Sequence, residues 1–144
     1  MSRMFVSSST GAEVYVFAND HCPPHVHARH RGDGWMARVG FSYVGDTVTL
    51  MSIAPTKNIP PRRVLNGLLD DVRAHLAACR RAWWTTSQTA CLANQWVIVS
   101  AGGKIEPCTA SVSGAKQIAK ASYEVSSGRL RLAFGDGTSL EVKP

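Results

Sequence analysis

The chain has 144 residues, with 16 Lys and Arg against 10 Asp and Glu, for a formal net charge of +6. Its 44% apolar and 18% charged residues are the composition of a folded globular chain and exclude a disordered one. No uninterrupted stretch of about 18 apolar residues occurs, so no membrane-spanning helix is expected.

The positive balance is spread over both halves without a Lys/Arg run. It permits contact with RNA, DNA or an acidic protein partner and specifies none of them. The first residues, Met1 to Thr10, lack the apolar core of an export signal, which leads to the expectation of a cytoplasmic protein. Cys22, Cys79, Cys91 and Cys108 are scattered, with no Cys-x-x-Cys pair, and read as reduced thiols, mostly buried as small hydrophobes.

In chain order, Glu13 to Phe17 is a short β-branched and aromatic run that predicts a strand, ended by Asn19-Asp20 and the extended backbone that Pro23-Pro24 imposes. A second strand is expected through His25 to Arg29, a turn at Gly32-Asp33-Gly34, a third strand from Trp35 to Tyr43 and a fourth from Thr47 to Ile53. Pro60-Pro61 marks a helix start. From Arg62 to Trp84, the residues Leu65, Leu68, Leu69, Val72, Leu76, Cys79 and Trp83 recur at helical spacing and fall within an arc of about 100°. Asp70 and Asp71 then lie on its polar side. A small polar stretch follows, Trp96 to Val99 reads as a strand, and Arg129 to Phe134 with Gly135-Asp136-Gly137 and Thr138 to Val142 reads as a hairpin.

The expected fold is therefore α+β: a small antiparallel sheet packed on one long amphipathic helix, followed by a β-rich C-terminal unit. The divisions are residues 1–85, a linker over 86–95, and 96–144.

Four of the five histidines lie within His21-Cys22-Pro23-Pro24-His25-Val26-His27-Ala28-Arg29-His30. On an extended strand His25 and His27 share a face, and the proline pair can fold His21 back towards them. Three converging imidazoles are the ligand set of a catalytic zinc site, so His21, His25 and His27 are candidate ligands for one zinc or similar divalent ion. Asp20 or Cys22 can complete a structural site instead. Alternatively, His25 and His27 act as general acid and base, with Arg29 or Arg31 steadying a phosphate. A purely structural packing of these rings is the third reading. For contact with nucleic acid or a protein partner the candidates are Arg29, Arg62, Arg73, Arg80 and Trp84, the three helix arginines lining the edge of the apolar stripe. Gly-x-x-x-x-Gly-Lys-Ser/Thr, Gly-x-Gly-x-x-Gly and Gly-x-Ser-x-Gly motifs are absent, which argues against nucleotide-loop and serine-hydrolase chemistry.

The segment Val14 to His27, with its Asn19-Asp20-His21-Cys22-Pro23-Pro24-His25-Val26-His27 core, resembles the domain-of-unknown-function family 4160 over residues 10–85 or so. His21, Pro24, His25 and His27 fall on that family's characteristic positions. Residues 107–144, through Leu130, Leu132, Phe134, Asp136 and Gly137, are similar to the domain-of-unknown-function family 2442. The pair implies a toxin–antitoxin-like module, here fused in one chain, in which the tail masks the His site or binds a partner. The alternatives are a non-catalytic module that inhibits a host defence or nucleic-acid complex, in the manner of an anti-CRISPR protein, and a small metal-dependent hydrolase or nuclease.

Overall fold

The computed structural model describes residues 2–144. Five strands, β1 (Ser2–Val6), β2 (Glu13–Val16), β3 (His25–His30), β4 (Trp35–Gly40) and β5 (Thr49–Ala54), form an antiparallel meander in sequence order. Two helices follow, α1 (Arg62–Ala74) and α2 (Leu76–Ser87). A second antiparallel sheet then runs in the order β10-β9-β8-β6-β7, from β6 (Trp96–Val99), β7 (Ile105–Cys108), β8 (Lys116–Glu124), β9 (Arg129–Phe134) and β10 (Ser139–Val142). The architecture is thus mixed but mostly strand, and not one small sheet on one long helix.

In the first sheet the register sorts the side chains cleanly. Val14, Ala28 and Ala37 are consecutive cross-strand partners, as are Val26 and Val39, and all five are buried. Leu68, Val72, Leu76, Cys79 and Trp83 of the helices join the same apolar cluster. The cluster continues through Leu92, Val97, Ile118, Tyr123, Leu130, Leu132 and Phe134, so both sheets share one core. Across the join, Tyr123 meets Tyr43 with ring centroids 5.1 Å apart and Trp84 at 6.5 Å. Trp84, expected to be free, is half-buried in this contact.

The expected single helix is interrupted at His75, and the reason is local. The His75 ring donates from Nδ1 to the Asp71 carbonyl at 2.7 Å, the acceptor that its own backbone N–H would take in a continuing helix. That N–H turns instead to the Val72 carbonyl at 3.0 Å. Phe5 of β1 stacks flat on the His75 ring at 4.0 Å and holds it in place. The apolar stripe survives the break, because α2 starts again with buried Leu76.

Two polar side chains change role. Arg80, expected at the surface, is only 3% exposed. Its Nε donates to the Ser42 carbonyl at 3.0 Å and its Nη2 to the Gly45 carbonyl at 2.8 Å, while Tyr43 donates its hydroxyl to the Arg80 carbonyl. Arg80 is covered by the segment from Ser42 to Asp46, whereas Arg62 and Arg73 have no such cover. Arg62 is exposed, and Arg73 pairs with Asp70 at 2.8 Å. Asp71, in turn, is no idle surface group. It accepts at Oδ2 from the Ser7 hydroxyl (2.5 Å), the Ser9 amide (3.1 Å) and the Ser9 hydroxyl (2.6 Å), tying the β1–β2 turn to α1. Gly67 lies under that turn, where a Cβ would come within 2.8 Å of the Ser9 hydroxyl.

Truncating Arg80 to Ala leaves two carbonyls and the bulk of a buried side chain uncompensated. The expected loss is about 2–4 kcal/mol of unfolding free energy in urea titrations, with little recovery in Arg80→Lys. Burial works to raise the Asp71 carboxyl, but the hydrogen bonds from Ser7 and Ser9 outweigh it and hold the group below the usual carboxylate range. A carboxyl lowered by folding stabilises above its unfolded pKa, and that stabilisation is lost as pH falls through the lower folded value. Asp71→Asn should therefore destabilise at pH 7 by about 1 kcal/mol, given solvent screening at this half-exposed site. It should also flatten the loss of stability below about pH 4.

Candidate metal centre

β3 is the middle strand of the first sheet, and its alternation sends Val26 and Ala28 into the core. His25, His27 and Arg29 then belong to the opposite face. There His27 stands between its cross-strand partners Tyr15 and Arg38. On an open sheet face these rings would be solvated, yet His25 is 5% exposed and His27 6%. The loop of residues 17–24 folds over them. Its first turn is closed when the Asp20 amide donates to the Phe17 carbonyl at 3.3 Å and the Phe17 amide donates to Asp20 Oδ2 at 3.1 Å. That closure aims the carboxylate at the histidines. Phe17 packs edge-on to His27 at 4.4 Å, and Trp83 of α2 covers His25 at 5.3 Å.

Asp20, His25 and His27 consequently present one ligand atom each, all within 4.8 Å of one another. His27 Nε2 lies 2.9 Å and 3.1 Å from the two Asp20 oxygens, and His25 Nε2 lies 3.4 Å from Oδ1. His25 Nδ1 is 2.9 Å from the Pro23 carbonyl, which can only accept, so Nδ1 carries the proton. In the neutral ring the free lone pair is then on Nε2, aimed at the carboxylate. A backbone carbonyl fixing the far nitrogen of an imidazole is the outer-shell arrangement that orients metal-ligating histidines. Desolvation works to raise the Asp20 carboxyl, but the hydrogen bonds from the His27 ring and the Phe17 amide prevail and keep it below its ordinary value. The group is thus held as the anion a cation needs.

The expected third histidine is not in this set. His21 is exposed on the turn that points its neighbour Asp20 inwards, and the carboxylate takes its place. His30 is also elsewhere: it stacks on Trp35 at 5.3 Å and accepts at Nδ1 from the Asp33 amide. Beside the triad a cleft opens, lined by Asn19, His21, Cys22, Trp83, Thr86 and Ser87. Phe17 and Trp83, the rings over the triad, belong to the first unit, and the tail's Tyr123 sits on Tyr43 and Trp84.

Cys22 is not a free thiol. It forms a disulfide with Cys91, which ties the triad's loop to the segment after α2. The reading of all four cysteines as reduced is corrected here, and with it goes the cysteine argument for a reducing compartment. The signal was beyond sequence reasoning, because the partners stand 69 positions apart with no spacing motif. Cys79 and Cys108 remain free; burial pushes the Cys79 thiol up to about 12, which makes it inert packing. No helix is long and apolar enough to cross a membrane.

Cross-linking residues this far apart restricts the unfolded chain strongly. Cys22→Ser/Cys91→Ser should lose about 2–4 kcal/mol of unfolding free energy, and dithiothreitol should bring the wild type down to the same urea midpoint. Equal midpoints with and without reductant would show that the bond contributes nothing.

No family model, curated protein or solved structure matches this chain.

Proposed function

We propose that this is a toxin–antitoxin-like regulatory protein of a bacterium or mobile element, and that its chemistry rests on one zinc or similar divalent ion held by Asp20, His25 and His27. The observation that carries the metal reading is the buried convergence of one carboxylate and two imidazole nitrogens, with the far nitrogen of His25 fixed by a carbonyl. Two histidines and a carboxylate are a ligand set for zinc and for other divalent transition metals, and three protein ligands leave a further position for water or substrate. That position would face the cleft at Asn19 and His21. Binding would displace the Nε2 proton that His27 shares with Asp20, so affinity should fall with acidification.

The geometry favours this over acid–base catalysis by the histidine pair. Both Nε2 atoms point inwards at Asp20, and neither ring has the exposure that proton exchange with a substrate requires. The binding-module alternative, an inhibitor of a host defence or nucleic-acid complex, keeps exposed Arg62 and Arg73, the latter in a surface pair with Asp70, but not Arg80, which is buried, while Trp84 is half-buried. The toxin–antitoxin component rests on the resemblances of the Pro-Pro-His-Val-His segment and of the tail.

Elemental analysis of tag-free protein tests the metal reading. About one divalent ion per chain is expected, lost in His25→Ala/His27→Ala and in Asp20→Asn while circular dichroism stays that of the wild type. Metal-free wild type after growth with zinc, manganese and iron, or metal retained in all three variants, would overturn it.

A further inference from the structure

The sheet face that carries the triad also carries two guanidinium groups, Arg29 and Arg38, that have no ion-pair partner within 4.0 Å among the described residues. Arg38 of β4 is the direct cross-strand partner of His27, and Arg29 follows His27 by two positions on β3, opposite Met36. Direct and diagonal partners on one face lie within reach of long side chains. Arg29 and Arg38 are therefore diagonal neighbours beside His27. Like charges so placed repel each other unless something of opposite sign stands between them.

The carboxylate directly opposite Arg29 on β2 is Glu13, and other side chains take its oxygens. Arg3 and Arg31 both pair with Glu13, at 3.5 Å and 2.8 Å. Among the described residues no carboxylate lies within 4.0 Å of Arg29 or Arg38. Arg38 is exposed, with no side-chain hydrogen bond. Arg29 has one hydrogen-bond partner, the Tyr15 hydroxyl, which accepts from its Nη2 at 3.2 Å and donates to Glu13 Oε2 at 2.5 Å. Its Nε is buried and has no acceptor at all. Arg29 is thus a half-buried cation held by a single side-chain hydrogen bond, with its Nη1 free to donate towards the open side.

We infer that Arg29 and Arg38 form the binding site for a phosphate group beside the proposed metal centre. The planar fork of a guanidinium matches two phosphate oxygens, and two forks with a neighbouring cation suit a group of that charge. Tyr15 holds Arg29 in place through Nη2 and leaves Nη1, which is not buried and has no protein acceptor, for the ligand. Arg38 provides the mobile arm. The inference deepens the metal reading by naming what would be brought to the site, yet it stands on the arginines alone and can survive the loss of the metal. The phosphate can be the terminal group of a small molecule or a nucleic-acid backbone, since both present the same oxygens.

The test is calorimetric titration of inorganic phosphate into the full chain loaded with zinc and freed of excess, in parallel with a short single-stranded oligonucleotide. Arg38→Gln is the main variant, because an exposed side chain can be changed without loss of fold; Arg29→Gln is the second. Saturable phosphate binding in the wild type is expected, weakened by about tenfold or more in each variant at unchanged zinc content. Arg38-dependent binding of the oligonucleotide as well would assign the backbone source, and binding of phosphate alone the small-molecule source. Absence of phosphate binding, or equal affinity in wild type and Arg38→Gln, overturns the inference. Zinc uptake without phosphate binding would leave the metal reading standing by itself, whereas Arg38-dependent phosphate binding by protein that takes up no zinc would sink the metal reading and keep this one.

Discussion

The arrangement around the histidines depends on the register of β3 in the middle of the first sheet. With neighbours on both sides, every second residue of that strand must be apolar on the helix-covered face, and Val26 and Ala28 meet the demand against Val14, Ala37 and Val39. A slip of one residue would drive His25, His27 and Arg29 into the core and put the small apolar side chains on the other face. In that core the two imidazoles and the guanidinium would lose the carboxylate, carbonyl and hydroxyl partners they have on their own face, so the register is held by the core and the polar face follows from it. The residues that could do chemistry are placed by residues that cannot.

What the register does not provide is cover. A sheet face bearing imidazoles would normally be wet, and here a loop that begins at Phe17 and ends at Pro24 shuts it. The loop is short of apolar content, and its position rests on a small number of definite contacts: the Asp20 turn, the Phe17 edge against His27, the Trp83 ring against His25, and the covalent tie from Cys22 to Cys91. Trp83 is in turn anchored by donating its indole N–H to the Thr89 carbonyl, two residues before Cys91. The end of α2 thus braces the site twice, once through an aromatic ring and once through the segment that carries the disulfide partner.

The parts of the molecule that were legible in the sequence are those governed by period. The shared face of His25 and His27 on β3, the Leu130-Leu132-Phe134 strand with its Gly-Asp-Gly turn, and the apolar stripe from Leu68 to Trp83 stand as read, although Leu65 lies outside the core and the stripe spans two helices. Strands β1, β7 and β8 were not legible. β8 is the longest strand, yet Lys116 to Glu124 holds few β-branched residues and becomes a strand because β6 and β9 flank it. The break at His75 was hidden for a similar reason: a ring that takes a main-chain carbonyl leaves no trace in hydrophobic spacing. For the site, the sequence reading named His21, His25 and His27, and two of these belong to the converging group. It took His21 as the third where the structure has Asp20, because the choice is made by a turn that directs one neighbour inwards and the next outwards.

The same limit applies to charge. Read along the chain, Arg62, Arg73 and Arg80 look like a row, while Arg29 and Arg38 are merely two arginines nine positions apart. Folding reverses their standing. The helix arginines end as one exposed, one paired and one buried group, and the strand arginines become diagonal neighbours on one face. Cross-strand pairing is a relation between segments, and nothing in either segment announces it. A basic chain of this size therefore places its free positive charge where the sheet decides, and in this one the sheet puts it beside His27.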